Sequence, residues 1–147
     1  MAGIDTHHAP RITLDADVVM AGAVTGELLV SAEPLSFWGG YDQVTGTIID
    51  QRHPLAGQCA AGKILAVPFT RGSSTTTAVL LEAIKASVAP LAIVTTARDS
   101  FFALASIVAD EMYGTPLPLF VLAQADFDRL QSGDIAMIRS DGQIEVR

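Results

Sequence analysis

One cysteine, Cys59, is present in 147 residues. A lone cysteine excludes an internal disulfide and cannot by itself hold zinc or an iron–sulfur cluster, which draw several ligands to one site. Any metal must therefore come largely from elsewhere. Histidine is also scarce, with His7, His8 and His53 and none beyond. Lysine is scarcer still: Lys63 and Lys85 stand beside seven arginines in a chain rich in alanine. That bias resembles a GC-rich bacterial gene more than the Lys/Glu-rich surface of a hyperthermophile. Nine basic residues against sixteen acidic ones leave a net charge of −7. Phosphate-backbone binding relies on clustered Lys and Arg, so nucleic acid is excluded as a general partner. No apolar run reaches the roughly 18 residues of a membrane span. The apolar half of the composition, with a mean hydropathy of +0.40, must serve a core or an interface. The start, "MAGIDTHHAPRITLDADVV", carries Asp and His where a secretory signal has a positive start and an apolar stretch, so a cytoplasmic location is expected.

A chain of this length builds one ordinary core. One domain over 1–147 is expected, with 1–16 as an extended N-terminal segment and no repeat or linker. The first third alternates short β-type runs with glycine: "DVVMAGAV", "GELLVSAE", "LSFWGGYD" and "VTGTIID" read as strands. "HPLAGQCAAG" reads as a loop and "KILAVPF" as a buried strand. From Ser73 the period becomes helical, with Val79, Leu80, Ala83 and Ile84 on one face and an end before Pro90. After the strand "LAIVTT", Thr96 and Asp99 resemble a capping box, and Phe101, Leu104, Ala105, Val108 and Met112 form an apolar stripe closed by Gly114 and Pro116. The tail reads as a strand, a short helix and a hairpin turning at Asp141-Gly142. An α/β layered domain follows, a mixed sheet or partial barrel with helices packed on one side.

"RGSSTTT", residues 71–77, sits between the strand "KILAVPF" and the first helix. Free N–H groups at a helix start bind carboxylate or phosphate, and Gly72 lets a ligand approach without a Cβ in the way. Serine is a weak base or nucleophile at its free pKa and needs such help, or a nearby His or metal. Ser73 or Ser74 can equally serve as a helix cap. A serine hydrolase of G-x-S-x-G type is excluded, because the second glycine is absent and no histidine follows the motif. His53, in "DQRHPLAG", can return to the helix mouth or can brace its own loop. Cys59 reads as a small buried side chain. Trp38 suits either a loop near a ligand or a partner surface, or the core, and Asp110 and Glu111 read as solvated.

Taken together, "SFWGGYDQVTGTIIDQRHPLAGQCAAGKILAVPFTRGSSTTTAVLLEAIK", with "IVADEMYGTPLPLF" and "LQSGDIAMIRSDGQIEV" behind it, resembles the swivel domain, or small subunit, of the aconitase X enzymes. The order W-G-G, D-x-x-H-P-L-x-G, R-G-S-S is far more specific than any one piece, and the resemblance runs from about Val18 to Val146. It implies a swivelling β/β/α-type domain and a hydro-lyase built from two parts. A large subunit would carry iron or an iron–sulfur cluster, and this chain would bind no cofactor alone. The resemblance assigns the base to Ser73, and the substrate's anionic end to Arg71, Gly72 and Ser74, with His53 and Thr75 also at the substrate. Thr75 stands where the wider aconitase pattern has an arginine, and Arg71 is its substitute. Family members dehydrate cis-3-hydroxy-L-proline or mevalonate 5-phosphate. The bacterial composition and the lack of a basic cluster favour the hydroxyproline.

A reading from another class is a swivelling carrier like the phosphohistidine domains, whose ends "LQSGDIAMIRSDGQIEV" also resembles. It needs a phosphorylatable histidine near a helix start, where this chain has serines. A third is a free-standing small-molecule binder.

Overall fold

The structure is a computed structural model and describes residues 12–71 and 75–147. Strands β1 (Ile12–Asp15), β2 (Asp17–Met20) and β3 (Val24–Val30) open the chain, and β4 (Ile64–Ala66) follows a long connection. Helix α1 (Thr75–Lys85), strand β5 (Ala92–Thr95), helix α2 (Ser100–Tyr113) and strand β6 (Leu119–Val121) come next. Helix α3 (Gln124–Phe127) and the hairpin of β7 (Ile135–Ile138) and β8 (Gln143–Val146) complete the order.

All eight strands join one mixed sheet in the order β1-β8-β7-β3-β4-β5-β6-β2. Its two outer strands are consecutive in the chain, with Ala16 alone between them. Closure into a nearly complete barrel follows from that, because one residue must bring the two edges together. "ITLD", expected within an N-terminal extension, is β1, paired antiparallel with β8 along its length. The β7–β8 turn locks this closure: the Ala16 N–H donates to the Gly142 carbonyl at 2.9 Å. Gly142 has φ +97°, and a Cβ there would run into the Ala16 carbonyl, so the Asp-Gly pair is required by the closure as well as by the hairpin.

Strands β3, β4, β5 and β6 run parallel, and α1 and α2 are the crossovers between β4, β5 and β6. Every residue of β4 and β5 is buried, as expected of strands covered on both faces. Alternation sorts their side chains into two cores. Leu28, Ile64, Ala66, Ala92, Val94 and Phe120 face inward with the β7 and β8 side chains. Leu29, Leu65, Ile93 and Leu119 face the helices and meet Val79, Leu80, Ala83, Phe102 and Ala105. The partial barrel and the helix layer are thus as the pattern predicts.

Four details differ from the sequence reading. "LSFWGGYD" and "VTGTIID" are not strands but parts of the long β3–β4 connection, which holds isolated bridges between Tyr41 and Ile48 and between Thr47 and Cys59. Gly39 and Gly46, at φ +76° and +81°, turn the chain too often for a ladder to continue. Its apolar residues Phe37, Tyr41, Ile48, Leu55 and Ala60 anchor the connection on the helix-side core. Cys59 is exposed rather than buried, because its neighbour Ala60 takes the inward position.

The third difference is the face of α2. Phe102, Ala105, Ser106 and Ala109 are buried, whereas Leu104 and Met112 are 49% and 64% exposed. The apolar stripe is therefore rotated by about one residue from the expected one. Small side chains let α2 pack closely against α1, and the Ser106 hydroxyl is satisfied by the Leu117 N–H and carbonyl. The cap also moves: Asp99, not Thr96, is the N-cap, accepting from the N–H groups of Phe101 and Phe102. Thr96 instead donates from its N–H and hydroxyl to the Pro68 carbonyl. Among the described residues, no helix is long and apolar enough to cross a membrane.

Candidate functional site

In parallel sheets, ligands collect beyond the carboxyl ends of the strands. Beyond β3 and β4 lies a cavity of about 250 Å³. Glu33, Pro34 and Ser36 line it from the segment after β3, Asp50, Arg52 and His53 from the long connection, and Arg71 from the segment after β4. A larger cavity, about 550 Å³, lies between the start of β3 and the β7–β8 turn, at the opposite end of the parallel strands. The smaller one is the candidate site, because it opens where "RGSS" begins.

Backbone bonds fix its walls. Leu35 bridges to Thr70, and the Arg71 N–H donates to the Leu35 carbonyl at 3.0 Å. The Asp50 carboxylate accepts from the Arg52 N–H at 3.0 Å. His53 is buried, and its Nδ1 accepts from the Leu55 N–H at 3.1 Å. That bond leaves the proton on Nε2, which donates to the Glu33 carbonyl at 3.4 Å. Both ring nitrogens are therefore engaged with backbone, and His53 braces the loop against the segment carrying Glu33.

Gly72, Ser73 and Ser74 lie outside the described residues, between Arg71 and the first residue of α1, Thr75. Their flanks are held from both sides. Asp99 Oδ2 accepts from the Thr70 N–H and hydroxyl, both at 2.8 Å, while Oδ1 caps α2. Thr77, on α1, donates to the Phe101 carbonyl at 3.1 Å. One carboxylate thus joins the end of the β4 segment to the start of α2, and part of the hydroxyl run is structural. Thr75 opens α1 and is not among the residues lining the cavity.

Sequence reasoning put Arg71 at the helix mouth and left His53 either there or bracing its own loop; both line this cavity. It missed Glu33, Asp50 and Arg52, and gave Asp99 only a capping role. For Asp50 and Arg52 the signal was present, because they stand just before His53 in the same quoted motif. Glu33 had none, since only the parallel β3–β4 pairing brings it there. Trp38, at 71% exposure, belongs to the surface and not the core.

Replacing Asp99 by alanine removes an N-cap, worth about 0.5–2 kcal/mol, and two charge-assisted bonds to Thr70. An expected loss of about 2–4 kcal/mol in urea unfolding follows, because hydrogen bonds to charged groups contribute about 1.5–3 kcal/mol each and do not add fully. Asp99→Asn keeps the cap but sets an amide against the Thr70 N–H, and should fall between. A change under about 0.5 kcal/mol for Asp99→Ala, the range of ordinary surface substitutions, would show that the joint is not holding the segment.

The sequence matches the family of the aconitase X swivel domain over residues 13–146. The chain belongs to the aconitase X swivel domain family. It is 42% identical over 128 residues to the cis-3-hydroxy-L-proline dehydratase of Pseudomonas aeruginosa, covering 87% of this chain and 22% of that protein. It is 31% identical over 137 residues to the phosphomevalonate dehydratase small subunit of Methanosarcina acetivorans, covering 92% and 91% of the two. The chain thus spans about a fifth of the first relative and nearly all of the second. The fold matches the crystal structure of Thermococcus kodakaraensis aconitase X (holo-form), with TM-score 0.82 and 30% identity, covering 92% of this chain and 98% of that one.

Among the described residues of this swivel domain, no three His, Cys, Asp or Glu side chains gather as metal ligands do. Cys59 is exposed, with its thiol toward the Thr45 carbonyl at 3.5 Å. These residues do not fit as ligands of iron or of an iron–sulfur cluster.

Proposed function

We propose that this chain is the base-bearing small subunit of a hydro-lyase that dehydrates cis-3-hydroxy-L-proline. In this reading it acts only with a large aconitase X-like subunit, and that subunit carries the iron or iron–sulfur cluster. Ser73, as its alkoxide, takes the proton from the carbon beside the substrate carboxylate. A carbon–carbon double bond forms as the carbon–oxygen bond breaks, and the proton and hydroxyl removed make up the one water released. Arg71 and Ser74, with the backbone at Gly72, hold the substrate's anionic end. The pinned flanks at Thr70, Arg71 and Thr77 support this role, since a weak base acts only if held within reach of its proton.

The observation that carries the substrate choice is the extent of the similarity: 42% identity to a cis-3-hydroxy-L-proline dehydratase runs over 87% of the chain, whereas 41% identity to the phosphomevalonate dehydratase small subunit of Methanothermobacter thermautotrophicus runs over 65%, and the M. acetivorans small subunit is 31% identical. A second reading, dehydration of mevalonate 5-phosphate, is favoured by length, since the chain covers 91% of that small subunit. The carrier reading is weakened by His53, whose two ring nitrogens are both occupied.

Combining the chain with its large subunit tests the proposal. The pair is expected to convert cis-3-hydroxy-L-proline, followed as loss of substrate, while neither chain does so alone. Turnover of mevalonate 5-phosphate instead would reverse the substrate choice. Full turnover by the large subunit alone would remove this chain from the reaction.

A further inference from the structure

The cavity beyond β3 and β4 is walled by two carboxylates, Glu33 and Asp50, and two guanidinium groups, Arg52 and Arg71. Among the described residues none of these four makes an ion pair with another; Glu33, Arg52 and Arg71 are exposed at the mouth and Asp50 is half-buried. Asp50 spends one carboxylate oxygen, Oδ1, on the Arg52 N–H. The Glu33 carboxylate makes no hydrogen bond within the described residues, while its backbone is clamped by His53 and by the Ser31 hydroxyl. The walls are positioned, and their charges remain for a ligand. Two positive and two negative groups sum to zero. The volume, about 250 Å³, lies just below the roughly 300–1,000 Å³ of sites for drug-sized ligands, so it suits a ligand of few heavy atoms.

We infer that this cavity is a recognition site for a small zwitterion, with Glu33 and Asp50 receiving an ammonium group and Arg52 and Arg71 receiving a carboxylate. The inference rests on the proposed dehydratase reading and adds the residues that receive the ammonium group of a cyclic amino acid; Asp50 belongs to the family motif D-x-x-H-P-L-x-G, so any selection against a phosphorylated hydroxy acid falls to Glu33. A phosphate carries about −1.5 to −2 at neutral pH, and with a carboxylate it would meet Glu33 and Asp50 as like charges, with no cation of its own to offer them. Charge juxtaposition of that kind is a repulsive specificity element.

The test uses the chain with its large subunit and two ligands that share ring size and carboxylate, L-proline and cyclopentanecarboxylate. Only the first has an ammonium. Binding is read by NMR shifts and by inhibition of turnover. The wild type is expected to bind L-proline about tenfold or more tighter, the scale of one charge-assisted hydrogen bond. Glu33→Gln with Asp50→Asn is expected to bring that ratio close to one. The KM for cis-3-hydroxy-L-proline should rise about tenfold while kcat changes little, the signature of lost uniform binding. Arg52→Gln should weaken both ligands alike and keep the ratio, which controls for damage to the loop.

Equal binding of the two ligands by the wild type, or a ratio untouched in the double variant, overturns the inference and leaves the dehydratase reading standing. Discrimination without turnover supports the site and overturns the proposed reaction. Turnover of mevalonate 5-phosphate with no binding of L-proline overturns both.

Discussion

Ser73→Ala, assayed in the assembled dehydratase with cis-3-hydroxy-L-proline, is expected to lower kcat by about 10²–10⁴-fold, the usual contribution of a positioned general base. The KM should change far less, because the hydroxyl is proposed to act in the proton transfer and not to anchor the ground state. Exchange of the substrate's α-proton with deuterium from solvent should disappear along with turnover, whereas loss of an anchoring group alone would leave exchange measurable at saturating substrate. Ser74→Ala replaces the residue directly ahead of Thr75, where α1 begins. It is expected to cost about 1 kcal/mol of stability if that residue caps the helix, with a smaller loss of rate. The order of the two effects separates base from cradle. Turnover near the wild-type rate in Ser73→Ala would take the proposed proton transfer away from this residue, and a larger loss in Ser74→Ala would exchange their roles.

What the sequence made legible divides along physical lines. Regular hydrophobic alternation and turn chemistry are local, so the strands from Ile64 to Val146, the Asp141-Gly142 hairpin and the buried face of α1 at Val79, Leu80 and Ala83 could be read directly. The barrel's closure through Ala16 could not be read, because "ITLD" acquires its meaning only from β8, which lies at the other end of the chain. On α2 two faces satisfied the same period. The apolar one containing Leu104 is the stronger local signal than the one containing Ser106, since nothing local announces that Leu117 satisfies the buried hydroxyl. Asp99 was noticed as a partner in a capping box, but its second oxygen binds Thr70, 29 residues earlier. That contact belongs to the β4–β5 pairing and not to the helix. The site followed the same rule. Arg71 and His53 lay in quotable motifs, while Glu33 joins them only through tertiary structure.

The face of α2 can be settled by energetics, and the effect is the largest expected on stability. Phe102 is fully buried and meets Phe37 edge-on, with ring centroids 5.5 Å apart and planes at 83°, and Phe37 in turn stacks on Tyr41 at 5.1 Å. Tyr41 donates to the Val88 carbonyl at 2.7 Å, and burial, with a lesser contribution from Cys59, pushes its phenol pKa well above the ordinary value near 10. These rings fasten the long connection that carries Asp50, Arg52 and His53 to the helix layer. Phe102→Ala is therefore expected to cost about 3–5 kcal/mol, the transfer and cavity cost of a buried phenylalanine. That is a large share of the roughly 5–15 kcal/mol that stabilises a domain, and it should lower Tm by about 10 °C in a chain of this size. Leu104→Ala, two residues away and 49% exposed, should change the stability of the isolated chain by about 0.5 kcal/mol or less. Denaturant unfolding of both variants at unchanged m-value decides between the faces. If Leu104→Ala costs more than Phe102→Ala, the helix is turned as its apolar period alone would have it, and the ring stack is not what holds the connection in place.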